Sequence, residues 1–117
     1  MRYLFVVFLF ALSACSDGPD VAAKRLLDNL KAGKHLAVEE SLSKDMHSFA
    51  MLMGGVNNAN LQPYYRTGAI ADFKLVERER AERSVRYVAT ITTTAGKQQD
   101  DLVTVVKEDG QWKIGKF

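Results

Sequence analysis

The sequence predicts an α+β fold in which N-terminal helices pack on a curved four-stranded antiparallel meander sheet, and three observations predict it. Apolar residues recur about every 3.6 positions in the first half and about every 2 in the second. A strong two-residue hairpin signal, Asp109-Gly110, joins the last two β-rich runs. Helices followed by consecutive strands bury their apolar sides by stacking as two layers.

The elements follow in chain order. Arg2 precedes an unbroken apolar run from Tyr3 to Leu12. As a helix, ten residues would cover only ~15 Å, about half a bilayer core, so the run reads as a signal-peptide core and not as a span. Leu12-Ser13-Ala14-Cys15 then matches the lipobox of bacterial lipoproteins, apolar, small, small, cysteine. Residues 1–14 are therefore expected to be cut away, and Cys15 to carry the lipid. Residues 15–19 form a short tether, broken by Ser16-Asp17-Gly18-Pro19, and 20–117 a single domain.

Pro19 suits a first helical position, because its missing N–H is not needed there. Ala23, Leu26, Leu27 and Leu30 form one apolar stripe, with Asp20 and Lys31 complementing the helix dipole and Gly33 stopping a helix over 20–32. A shorter helix is expected from Leu36 to Leu42. Ser43 offers an N-cap oxygen, and Met46, Phe49, Ala50 and Met53 repeat the stripe up to Gly54-Gly55, which predicts a helix over 44–53. Residues 57–70 read as a loop, with Leu61, Tyr64 and Tyr65 able to form one apolar turn.

From Ala71 the period is 2. Phe73, Leu75 and Glu77 alternate with Lys74, Val76 and Arg78, and Val85, Tyr87, Ala89 and Ile91 alternate with Arg86, Val88, Thr90 and Thr92. Two further runs, Leu102 to Val106 and Trp112 to Phe117, complete four strands, separated by Arg80–Arg83, Ala95-Gly96 and Asp109-Gly110. Trp112 and Ile114 share a face and should point to the core.

Composition narrows the function. The formal charge of +2 falls to +1 once Arg2 leaves with the signal peptide, and no basic cluster suggests a phosphate groove, which disfavours nucleic acid. Cys15 is the single cysteine, so the domain has no disulfide and no cysteine ligand for a metal. The 102 residues from Ser16 onward suffice for one modest core.

The helical first half, the four-strand meander and the ending Val103-Thr104-Val105-Val106-Lys107-Glu108-Asp109-Gly110-Gln111-Trp112-Lys113-Ile114 resemble the nuclear-transport-factor-2-like (cystatin-like cone) superfamily. More narrowly, the chain is similar to small bacterial lipoproteins of uncharacterised activity with that fold. The resemblance implies a curved sheet wrapped around helices, often with a pocket at the wide end and often dimeric, and it implies no activity. Some members are isomerases or dehydratases that use pocket Asp and His residues. The lipoprotein sorting rule of enteric bacteria retains proteins at the inner membrane when aspartate follows the cysteine; here Ser16 follows and Asp17 comes one later, which implies the inner leaflet of the outer membrane, facing the periplasm.

Each candidate site residue has a plain reading beside the functional one. His35 and His47 lie on different elements without zinc-helix spacing, and read as structural or surface histidines before they read as bases. Asp72 could enter a cone mouth, or simply face water at a strand start. Met46, Phe49, Met51 and Met53 make a soft apolar surface suited to binding, although such a stripe reads as core packing before it reads as a binding surface. Tyr64 and Tyr65 resemble a pocket rim, and read as half-buried loop aromatics before they read as one. The charges from Glu77 to Arg86 read as a solvated hairpin end. Thr90, Thr92 and Thr94 give a polar outer sheet face that could pair with a second copy.

No residue set implies a reaction or calls for a cofactor or metal. The expectation is a non-catalytic, membrane-anchored module that binds a membrane-associated protein or a lipid-like ligand through Met46, Phe49, Met51, Met53, Tyr64 and Tyr65. A short tether, reaching at most ~20 Å, holds it near the membrane. The alternatives are an isomerase- or dehydratase-type enzyme and an immunity lipoprotein against a secreted toxin.

Overall fold

The computed structural model describes residues 18–55 and 70–117. The expected signal peptide, Cys15, and the loop carrying Tyr64 and Tyr65 lie outside the described residues. Three helices come first, α1 Pro19–Ala32, α2 His35–Glu40 and α3 Lys44–Leu52. Four strands follow, β1 Ile70–Arg80, β2 Ser84–Thr93, β3 Gln98–Glu108 and β4 Gln111–Lys116, joined as an antiparallel meander in the order β1-β2-β3-β4. No helix among the described residues is long and apolar enough to cross a membrane.

Pro19 stands at the start of α1 behind Gly18, with Asp20 in the first turn and Lys31 in the last. At the other end Gly33 takes a left-handed conformation, φ 75°. Its N–H donates to the Leu30 carbonyl while that of Lys34 donates to Asn29, a double closure that satisfies carbonyls the helix leaves unpaired. The expected stripe is the buried face: Ala23, Leu26, Leu27 and Leu30 are all fully buried. Each leucine contributes on the order of 2 kcal/mol by leaving water.

These side chains meet alternate residues of the sheet. Val85, Tyr87, Ala89 and Ile91 on β2, Val103 and Val105 on β3, and Ile114 on β4 point to the helices, with Val38 of α2 closing one side. Trp112, Phe73 and Leu75 pack against this core half-buried. The layer between helices and sheet holds these buried side chains.

The connection between α2 and α3 is stitched to β4. The Ser43 N–H donates to the Ile114 carbonyl at 2.8 Å and the Ile114 N–H to the Ser41 carbonyl at 2.9 Å, a parallel bridge centred on Leu42. The Ser43 hydroxyl then accepts the Met46 N–H at 3.2 Å as the N-cap of α3. At the last hairpin Asp109 and Gly110 both have positive φ, 52° and 77°, the conformation that a twisted two-residue turn requires.

Three expectations need correction. β3 begins at Gln98, four residues before Leu102, because Gln98 to Asp101 pair with Thr92 to Ala89 although they bury little. Backbone pairing extends beyond the core there, and apolar alternation does not report it. The second concerns α3, where only Ala50 is buried and Met46 half-buried. Its main neighbours are β4 and α2, so the helix beyond Ala50 overhangs the sheet. Thr94, expected on the outer face of β2, lies past the end of that strand.

Candidate functional site

The overhang leaves an apolar end. Phe49, Met51, Leu52 and Met53 are 46%, 44%, 86% and 38% exposed, on either side of the buried Ala50 in the chain. Ser43 positions this helix by capping it, and two closures at its far end fix the stop: Gly54 donates to Met51 and Gly55 to Ala50. Gly54 and Gly55 both need positive φ for this, 92° and 101°. Of the six residues expected to form a binding surface, Phe49, Met51 and Met53 are exposed to water, Met46 is half-buried, and Tyr64 and Tyr65 lie outside the described residues.

The residues weighed as acids or bases are in water. His35 is exposed at the first position of α2, and Asp72 is exposed on β1. His47 is exposed beside a shallow hollow that it shares with Glu108 and Asp109. Those carboxylates are occupied with α3: Glu108 accepts the Lys44 backbone N–H at 3.1 Å, and Asp109 pairs with the Lys44 ammonium at 3.4 Å. Among the described residues no group of three or more His, Cys, Asp or Glu could hold a metal ion.

The charge run at the β1–β2 hairpin is more organised than a solvated end. A bulge between Glu77 and Glu79 turns Arg80 to the helix side, where its guanidinium forks onto Glu77 at 2.7 and 3.0 Å and reaches Asp20 at 3.4 Å. Tyr87, almost fully buried, donates its hydroxyl to the same Asp20. Burial, and then this hydrogen bond, push the phenol well above its ordinary pKa. Hydrogen bonds from Arg80 hold the Glu77 carboxyl below its usual range. Long-range partners of this kind leave no periodic signal, so sequence reasoning missed them.

The outer sheet face is open. Val76, Val88 and Leu102 stand opposite one another across β1, β2 and β3 and form an apolar row, with Val76 63% and Leu102 47% exposed. Lys74, Thr90 and Asp100 make the neighbouring row, in which Thr90 donates to Asp100 at 2.7 Å. A hollow of about 660 Å³ lies between Arg78, Glu79 and Arg86 on one side and Asp100 and Asp101 on the other. On the opposite side of the molecule, a groove of about 560 Å³ runs between α1, α2 and the β3–β4 hairpin, past Arg25, Trp112 and Lys113.

No family model and no curated protein matches the sequence. A solved structure does: that of a Campylobacter jejuni protein named as an NTF2-like transpeptidase superposes with a TM-score of 0.57 over 86% of this chain and 100% of that one. The chain has the nuclear-transport-factor-2-like fold. At 15% identity the likeness concerns the nuclear-transport-factor-2-like backbone alone, helices first and then an open four-stranded antiparallel sheet.

Proposed function

We propose that this protein is a lipid-anchored module of the bacterial cell envelope, held to a membrane through Cys15 and acting without catalysis. It captures a membrane-associated protein or lipid-like molecule with the apolar end of α3. The observation that carries this reading is the exposure of Phe49, Met51, Leu52 and Met53 together. Unbranched methionines adapt to irregular partners at little cost, and a contiguous apolar surface in water is stabilised by being covered. Tyr64 and Tyr65 belong to the proposed surface as well.

The non-catalytic side of the reading is supported by where the acid and base candidates lie. Isomerase or dehydratase chemistry needs a group of tuned pKa shielded from water. His35, His47 and Asp72 are in water, and the space beneath the sheet is occupied by Leu26, Leu27, Ile91 and Val103. A transpeptidase, the activity in the structural neighbour's name, needs an activated nucleophile, and the one cysteine is the expected lipid carrier.

The test replaces Met51 and Leu52 by aspartate, and separately Tyr65 by alanine, in the full chain in its host. Both sites tolerate the change structurally if thermal melts are unaltered. Crosslinking should then lose a partner that the wild type captures, and folded variants with an unchanged partner set would remove this surface from consideration. Cys15→Ser in the same strain should leave the membrane fraction or remain unprocessed, because the acyl chains supply ~0.8 kcal/mol per buried methylene.

A second copy on the open sheet face is the further part of the proposal. An isologous pairing along β2 would set Lys74 of one copy against Asp100 of the other and Val76 against Leu102, so one patch complements itself in both charge and apolarity. Sedimentation of wild type and Leu102→Asp should then differ in mass.

A further inference from the structure

The groove between α1, α2 and the β3–β4 hairpin is lined at one point by Gly18, the described residue nearest in sequence to the expected anchor. From Cys15 to Gly18 there are three residue steps, at most ~11 Å of chain. If Cys15 is lipidated, the part of the groove at Gly18 cannot leave the headgroup layer of the membrane. What the groove presents there is cationic and aromatic. Arg25, Lys107 and Lys113 line it with Trp112, against one carboxylate, Glu40.

The two lysines are held in place by contacts that leave their charge on offer. The Lys107 ammonium sits 5.7 Å over the Trp112 ring, and the Lys113 ammonium donates to the Glu40 backbone carbonyl at 3.3 Å. Each ammonium has three N–H donors, so one such contact does not use it up. Trp112 is half-buried, with its body against the core. An indole at an apolar–polar boundary, flanked by lysines, matches the level where membranes hold tryptophan, and each cation near an anionic surface is worth about 1 kcal/mol.

We infer that this groove docks on anionic phospholipid headgroups, with Arg25, Lys107 and Lys113 facing the phosphates and Trp112 at the interface. The inference rests on the anchor reading and adds to it a fixed orientation. A tether alone leaves the domain free to tumble above the membrane; the groove gives it a face to stand on. The outer sheet face and the apolar end of α3 are built from other residues and stay available to partners.

Trp112 is the only tryptophan in the chain, which makes it a native probe. The protein is purified from bacterial membranes, its intact mass is read for acyl chains, and it is reconstituted in vesicles of phosphatidylcholine alone or mixed equally with phosphatidylglycerol. The readout is the ratio of Trp112 emission with and without bromine on the upper acyl chains. Quenching should be stronger with phosphatidylglycerol, and Lys107→Glu with Lys113→Glu should return it to the phosphatidylcholine level, the loss of each cation lowering the docking equilibrium constant about fivefold. Lys31→Glu, on another side of α1, should leave it unchanged. Should the double reversal fail to melt cooperatively, Lys107→Gln with Lys113→Gln replaces it, with the same direction expected. Lipidated protein quenched equally in both vesicles overturns the groove and leaves the anchor standing. A mature mass without acyl chains overturns the anchor and this inference with it.

Discussion

Tyr87, in the middle of the sheet, donates its hydroxyl to Asp20, in the first turn of α1, across 67 residues of sequence. One end of this contact is almost fully buried and the other open to water, so it ties the helix that follows the tether to the strand at the centre of the fold.

Replacing the phenol tests the tie. Burial raises the Tyr87 pKa, so its contribution is complete below the ordinary phenol value near 10 and is lost as pH rises through the raised one. An alkaline absorbance titration should show one phenol ionising last, together with unfolding. Tyr87→Phe should remove that late step and cost about 1 kcal/mol at neutral pH, the usual worth of one such hydrogen bond. A late step that survives the substitution would show that another tyrosine produces it.

Acid should act through Glu77. Its carboxyl is held low by Arg80, so the pair's stabilisation is present above the ordinary value of 4.5 and fades as pH falls through the lowered one. Both groups are exposed, and the effect will be small. Melting temperatures between about pH 6 and pH 3 should fall less in Glu77→Gln than in wild type. Equal slopes would mean that the fork contributes nothing to folding.

Ser43→Ala removes the hydroxyl that accepts the Met46 N–H and should cost about 1 kcal/mol, read as a lower urea midpoint at unchanged slope. Ser43→Thr keeps the acceptor and should recover most of the loss. The site is buried, so a recovery by glycine but not by threonine would point to crowding instead of capping.

Gly115 lies where a side chain has no room. A Cβ there would stand 2.9 Å from Cγ1 of Val106 on the neighbouring strand, and a β-branched side chain does not swing aside easily. Gly115→Ala should destabilise by ~1–3 kcal/mol, as overpacking does. Adding Val106→Ala should return part of the loss, with a coupling of at least ~0.5 kcal/mol in a double-mutant cycle. Additive effects would place the cost in the backbone.

What was legible in the sequence is what depends on neighbours in the chain. Ala23, Leu26, Leu27 and Leu30 show their shared face through spacing alone, Ser43 its cap through its place before a stripe, and Asp109-Gly110 its turn through conformational freedom. Contacts between distant residues were not legible. Asp20 reads as a helix-dipole partner and is also the acceptor for Tyr87; Glu77 reads as one of a strand's alternating residues and is clasped by Arg80 through a bulge. The Met46–Met53 stripe shows the limit of periodicity most directly. Spacing tells which residues share a side of α3, and the reach of the sheet beneath decides how many of them are covered.

The bridge between Leu42 and Ile114 has a consequence for self-association. A meander has two bare margins, and each is a template on which another chain can polymerise. The bridge occupies the margin of β4 with backbone from residues 41–43, leaving that of β1 as the one open to strand addition among the described residues. β1 carries Lys74, Glu77, Arg78, Glu79 and Arg80, with a kink where its register slips. Fibre growth is thereby confined to a single side of the molecule, and that side is guarded by the densest charge in the chain.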